Sequence, residues 1–177
     1  MVITFIGHSL VSAQDKIKQE VKEQIKANML KTEQAVFYNG GYGDFDNVCA
    51  IACKELKKEF PDIEIVYISP YISPSEQEKI KELQRCGLCD ATIYPPIEGV
   101  PLKFAISKRN EWMVTSADLI IAYVNHSFGG AYKSLALRES NPFGLKWKID
   151  CLPVLKKLDN SLIACTFLPC NPTYFLI

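Results

Sequence analysis

Three absences narrow what this 177-residue sequence can be. It has no excess of charge of one sign, because Lys plus Arg and Asp plus Glu both number 20. Without a basic field nothing draws in a polyphosphate backbone, which argues against nucleic acid as a partner. It has no long hydrophobic run: the opening MVITFIGHSL carries no positive leader, and its apolar stretch is too short for a signal core or a membrane span. That stretch reads as the first strand of a cytoplasmic protein with no membrane partner. Nor does it have an even set of cysteines. Seven of them, scattered through a chain without a secretion signal, do not make a disulfide framework and read as thiols. Cys86 and Cys89, in CGLC, have the spacing of a zinc or redox pair, and Cys49 and Cys53 fall one helical turn apart. Structural zinc motifs draw both pairs from tight knuckles, however, and here one pair falls in a helix, so no metal and no cofactor is assigned.

What is present is 48% hydrophobic residues, enough for one sizeable core. VITFI at 2–6 reads as a buried strand ending at Gly7. Ile17, Val21, Ile25 and Met29 recur every fourth residue through 12–30, the stripe of an amphipathic helix. AVFY is a second strand, followed by a glycine turn and a helix over about 45–60 that Pro61 closes. IEIVYI at 63–68 is a third, and Ser73, Pro74 and Glu76 then supply an N-cap, a first-turn proline and an N3 acid for the next helix. ATIY, a helix over 102–117, the strand DLIIAYV and a helix from Gly129 complete the series. Strand and helix alternating at short spacing predict an α/β fold: a Rossmann-like three-layer sandwich with a mainly parallel sheet and helices on both faces. The turns at 7–9, 40–46, 69–71, 94–98 and 125–131 all follow strands and so share one edge, where such folds bind ligands.

Two of those turns are glycine-rich and open into helices: FYNGGYGDFD at 37–46 and HSFGGA at 126–131. Such a turn exposes backbone N–H groups and the positive end of a helix dipole, a layout suited to phosphate or another anion. Neither ends in the Lys-Ser/Thr of a phosphate-binding loop, and neither has the full dinucleotide fingerprint. The ligand-binding candidates are Gly7, His8 and Ser9 at the end of the first strand; Gly40, Gly41, Tyr42, Gly43 and Asp46 in the first glycine turn; Arg109 and Asn110 on the fourth helix; and Ser127, Gly129 and Gly130 in the second. Arg109 offers a planar fork of donors. Asp46 would face a ribose hydroxyl, hold a water or cap its helix; Asp44 is expected to cap. Glu98, fixed by the proline turn YPPIEGVP, is a second acid at the same edge. Asp46 and Glu98 are the catalytic candidates if the site hydrolyses its ligand.

Taken together, TFIGH, FYNGGYGDFD, YPPIEGVPLKFAISKRNEWMV, ADLIIAYV and HSFGGA resemble the SLOG superfamily (Smf/DprA and Lonely Guy related), and most closely its small stand-alone YpsA-like members of bacteria and phages. The likeness covers roughly residues 2–140. It implies a Rossmann-like domain that binds nucleotides or nucleotide-derived molecules, and it implies self-association. By that resemblance Arg109 matches the active-site arginine of the Lonely Guy enzymes and Gly129 and Gly130 what survives of their glycine motif, while Gly40 and Gly41 occupy the glycine pair after which many superfamily members carry an acid, here Asp46. The sequence departs from the pattern at the second turn, where Lys133 and Ser134 stand in place of the family's catalytic glutamate. It departs again after residue 145. The segment 146–177 is an atypical extension holding three of the seven cysteines, in which SLIACTFL offers a last strand; a lineage-specific tail and an altered reading frame give the same text.

Two function classes follow. The first is a pocket that senses or sequesters a nucleotide-derived small molecule, which accommodates the missing glutamate. The second is a phosphoribohydrolase-like enzyme cleaving a nucleotide N-glycosidic bond, with Arg109 on the 5′-phosphate and Asp46 or Glu98 stabilising charge on the ribose or activating water.

Overall fold

The computed structural model describes residues 1–29, 34–124, 128–139 and 148–151. Within them six strands and five helices alternate. In chain order these are β1 (Val2–Gly7), α1 (Gln14–Met29), β2 (Val36–Asn39), α2 (Asp44–Leu56), β3 (Glu64–Ile68), α3 (Pro74–Arg85), β4 (Ala91–Ile93), α4 (Leu102–Ser116), β5 (Leu119–Tyr123), α5 (Gly129–Glu139) and β6 (Lys148–Cys151). The strands form one parallel sheet in the order β4-β3-β2-β1-β5-β6. The chain walks outward from β1 to β4, then returns past β1 to lay down β5 and β6. Right-handed crossovers place helices on opposite faces when the direction of travel reverses.

The burial pattern follows that rule. On one face Ile3, Phe5, Phe37, Ile65, Leu119 and Ile121 pack with Ile17, Val21 and Ile25 of α1 and with Phe45, Val48, Ala52 and Leu56 of α2. The alternate residues of the same strands face the other way, where Ile6, Ile120 and Ala122 meet Val114 of α4 and Ala131 of α5. Farther along that face Val66 and Ile68 meet Met113, and the Tyr38 ring stacks on Trp112 at 5.5 Å between centroids. Strands covered on both sides must be apolar at every position, which is why β5 is buried from end to end. A row of ion pairs, Lys18 and Lys22 to Glu55 and Lys26 to Glu59, aligns α1 along α2.

The fold is the three-layer α/β sandwich expected from the alternation, with local differences. α2 stops at Leu56 rather than near 60, because the chain tightens into i→i+3 bonds, Lys58 N–H to Glu55 and Glu59 N–H to Leu56, before Pro61. The sixth strand is Lys148–Cys151, beside β5, in a stretch where no period announces it. The strand proposed within SLIACTFL lies outside the described residues. Among the described residues no helix is long and apolar enough to cross a membrane.

Glycine is obligatory at 41. Its φ is +65°, and a Cβ there would stand 2.4 Å from Cε2 of the buried Tyr67 ring. Gly41→Ala combines left-handed backbone strain with a clash against a fixed ring and is expected to cost about 2–3 kcal/mol of stability in urea unfolding. Gly130→Ala, where a Cβ meets nothing within 4 Å, should cost nothing measurable.

Candidate functional site

The reversal in strand order falls between β1 and β5, which stay paired to Gly7 and Tyr123, while the helices that follow them pack on opposite faces of the sheet and leave its carboxyl edge open. A small cavity of about 50 Å³ opens at this edge. Phe5, Ile6 and Gly7 of β1 line it together with Gly40 and Tyr42 of the first glycine turn and Asp46 of α2. Ile106, Arg109, Asn110 and Met113 of α4 and Ala131 of α5 close it.

Arg109 is its principal polar group. The side chain is 1% exposed, and Nη1 donates to the carbonyls of Gly40 at 2.6 Å and Ile68 at 3.1 Å. These carbonyls follow or end β2 and β3, so the guanidinium ties α4 across two neighbouring strands. A Cβ on residue 40 would stand 2.5 Å from Nη1, which is what the first glycine of the pair is for. Nε is buried with no hydrogen-bond partner. Burial pushes the Arg109 pKa down, and the field of Asp46 acts against it.

The carboxylates behave differently from expectation. Neither Asp44 nor Asp46 caps α2, which starts on Gly43 with no side-chain cap. Asp44 Oδ2 instead accepts from Val11 N–H at 3.2 Å, and Asp44 N–H donates to Ser9, pinning the β1–α1 loop against the helix end. Asp46, at the third position of α2, reaches back to Tyr42 N–H at 2.8 Å. Its carboxyl pKa is raised by desolvation, with the Tyr42 N–H, Arg109 and Lys79 pulling the other way. Asn39 completes the turn: Oδ1 takes Gly41 N–H and Nδ2 donates to the Asp46 carbonyl. Two of the N–H groups expected to cradle an anion are therefore already bonded within the protein.

A second polar cluster lies against the first. Glu76 is 6% exposed, and its carboxylate accepts from the hydroxyls of Tyr67 at 2.5 Å, Tyr42 at 2.9 Å and Ser69 at 3.2 Å. Lys79 donates to the Gly41 carbonyl and the Tyr67 hydroxyl, both at 2.9 Å, and sits 3.7 Å over the Tyr42 ring. Burial and Glu76 hold both phenols above their ordinary value, so they remain donors. Burial pushes the Lys79 pKa down. Ser73 caps α3 as the sequence signals, accepting from Glu76 N–H, but the Glu76 carboxylate does not turn back to complete a capping box. The hydroxyls that claim it come from β3 and from the turn after β2. No local pattern marks those contacts.

Of the other candidates, Gly7 lies under Phe45, whose ring stacks on Tyr123 at 5.7 Å, and His8 packs edge-on to Tyr123. Ser9 is exposed and Gly43 backs onto it, a Cβ there meeting Ser9 Cα at 2.8 Å. Gly129 and Gly130 begin α5, exposed and outside the cavity lining. Ser127 lies outside the described residues. Glu98 is exposed on the β4–α4 connection and does not line the cavity. After the second glycine pair, Lys133 is exposed and the Ser134 hydroxyl bonds back to the Gly130 carbonyl at 2.9 Å. Among the described residues no three His, Cys, Asp or Glu side chains converge as a metal site, and Cys49, Cys53, Cys86 and Cys89 are free thiols.

No protein-family model matches the chain, and no curated protein is significantly similar to it.

Two outcomes test this geometry. Ser73→Ala should cost about 1 kcal/mol, the ordinary loss of a cap. Glu76→Ala, which strips the acceptor from the Tyr67 and Tyr42 hydroxyls while Ser69 keeps the Tyr71 carbonyl at 2.8 Å, should cost about 3 kcal/mol; equal losses in urea unfolding would reduce Glu76 to a capping residue. Because the folded Asp46 pKa lies above its unfolded value, the native state is favoured in acid and loses that advantage as pH rises through the folded pKa. Asp46→Asn should then raise the unfolding midpoint at pH 7, and the gain should vanish as pH falls toward 3.8, the ordinary carboxyl value.

Proposed function

We propose that this protein binds a nucleotide or a nucleotide-derived small molecule at the carboxyl edge of its sheet, to sense it or to sequester it. The observation that carries the proposal is Arg109: a buried guanidinium with an unpartnered Nε, lining a cavity at the carboxyl edge of the sheet. Leaving a charged donor desolvated and unpaired costs free energy that a bound acceptor would recover. The carboxyl edge of the strands is where open α/β sheets place their ligands. The motif resemblance to the SLOG superfamily, in particular to YpsA-like members of bacteria and phages, supports the same ligand class. The expectations of a cytoplasmic location and of self-association belong to this proposal. Zero formal net charge weighs against nucleic acid as the partner.

A second reading, N-glycoside hydrolysis, has one observation in its favour. Asp46 lines the cavity with a raised pKa, as a general acid would. Against it stand the exposed Glu98 and the absence of an acid at 133 and 134.

Mass spectrometry of small molecules released from the denatured protein, with chromatography for free base after incubation with nucleotides, separates the two. Binding predicts a near-stoichiometric nucleotide-type molecule, lost from Arg109→Ala and reduced in the less disruptive Asn110→Ala, with no base released. Free base that disappears in Asp46→Asn would establish hydrolysis instead.

A further inference from the structure

Which end of such a ligand enters the cavity is decided by charge. Sequence alone makes Arg109 the phosphate partner; Nη1 is committed to two carbonyls and the other two nitrogens are left without a partner among the described residues, but the cavity wall they share also carries Asp46. Asp46 Oδ2 holds Tyr42 N–H, while Oδ1 has no donor among the described residues. The two side chains do not form an ion pair with each other; both instead line the same small space. A phosphate oxygen admitted there would shed its water and meet the lone pairs of a carboxylate. A hydroxyl meets no such conflict, since it accepts from the Arg109 guanidinium and donates to Asp46 Oδ1. An adjacent hydroxyl can use the Asn110 amide, which is both donor and acceptor. The cavity volume, about 50 Å³, corresponds to a few water molecules on the same measure. That suits a pair of hydroxyls and falls well short of the several hundred Å³ that enclose a whole small-molecule ligand.

We infer that the cavity between β1, α2 and α4 receives the vicinal hydroxyls of a ribose, bridged between the Arg109 guanidinium and the Asp46 carboxylate, and that the phosphate remains outside it. The inference rests on the binding reading above and reverses the role that the sequence suggests for Arg109. It makes the site selective for ribo- over deoxyribo-compounds and tolerant of the phosphorylation state.

Calorimetric titration of the full chain tests it with the four common ribonucleosides, their 5′-monophosphates, the 2′-deoxy and 2′,3′-dideoxy counterparts, and inorganic phosphate. The expected result is that removing both hydroxyls weakens binding roughly tenfold to a hundredfold, the value of hydrogen bonds to charged partners. Removing the 5′-phosphate should change affinity by much less, and inorganic phosphate should not compete. Asp46→Asn should bring the ribo-to-dideoxy ratio toward one. Equal binding of ribo and dideoxy forms, with affinity governed by the phosphate, would overturn the inference and leave the binding reading standing. If no compound in the panel binds, the binding reading fails and the inference falls with it.

Discussion

A guanidinium buried from water and held by carbonyls alone organises this molecule. Arg109 reaches from α4 to the carbonyls of Gly40 and Ile68. It thereby fixes where the β2–α2 turn lies relative to the end of β3. Burying a charge is unfavourable unless hydrogen bonds replace its lost water. The surrounding structure is shaped by that requirement. Residue 40 must be glycine because the guanidinium occupies the space of its Cβ, and Gly41 must turn left-handed so that the chain passes the Tyr67 ring. Asp46 and Glu76 supply negative charge nearby without making an ion pair to it, and their fields oppose the fall in the Arg109 pKa.

The polar groups around Arg109 divide into satisfied and unsatisfied sets. Glu76 with the Tyr67 and Tyr42 hydroxyls, Lys79 with two acceptors, and Asn39 bridging Gly41 and Asp46 form a closed network that holds the glycine turn against α3. Such a network rigidifies because each member's loss would leave another buried and unpaired. By contrast, Nε and Nη2 of Arg109 and one oxygen of Asp46, on the two side chains that share the cavity wall, are left over among the described residues. A donor and an acceptor held on one wall by a rigid frame are the elements of a recognition site, and they favour a group that both gives and receives hydrogen bonds.

The glycine turn changes meaning once it is folded. Read as text, NGGYGDFD suggests backbone amides presented to an anion. In the molecule, Gly41 and Tyr42 N–H are bonded to Asn39 and Asp46, and Asp44 N–H to Ser9. The carboxylates, which looked opposed to a phosphate cradle, occupy much of it. Gly40 and Gly41 are explained by Arg109 and Tyr67, whereas no packing contact requires glycine at 130.

Local sequence dictates the alternation of strand and helix, the parallel sheet and the shared edge on which the turns gather. These are local properties: hydrophobic period, helix caps and breakers act over a few residues and are legible wherever they occur. Tertiary structure alone decided the rest. It brought Glu76 under two tyrosines from other elements, put Asp46 beside Arg109, left Glu98 in solvent and recruited Lys148–Cys151 as an edge strand. Contacts between residues tens of positions apart depend on strand order and register, and no short pattern encodes either of them.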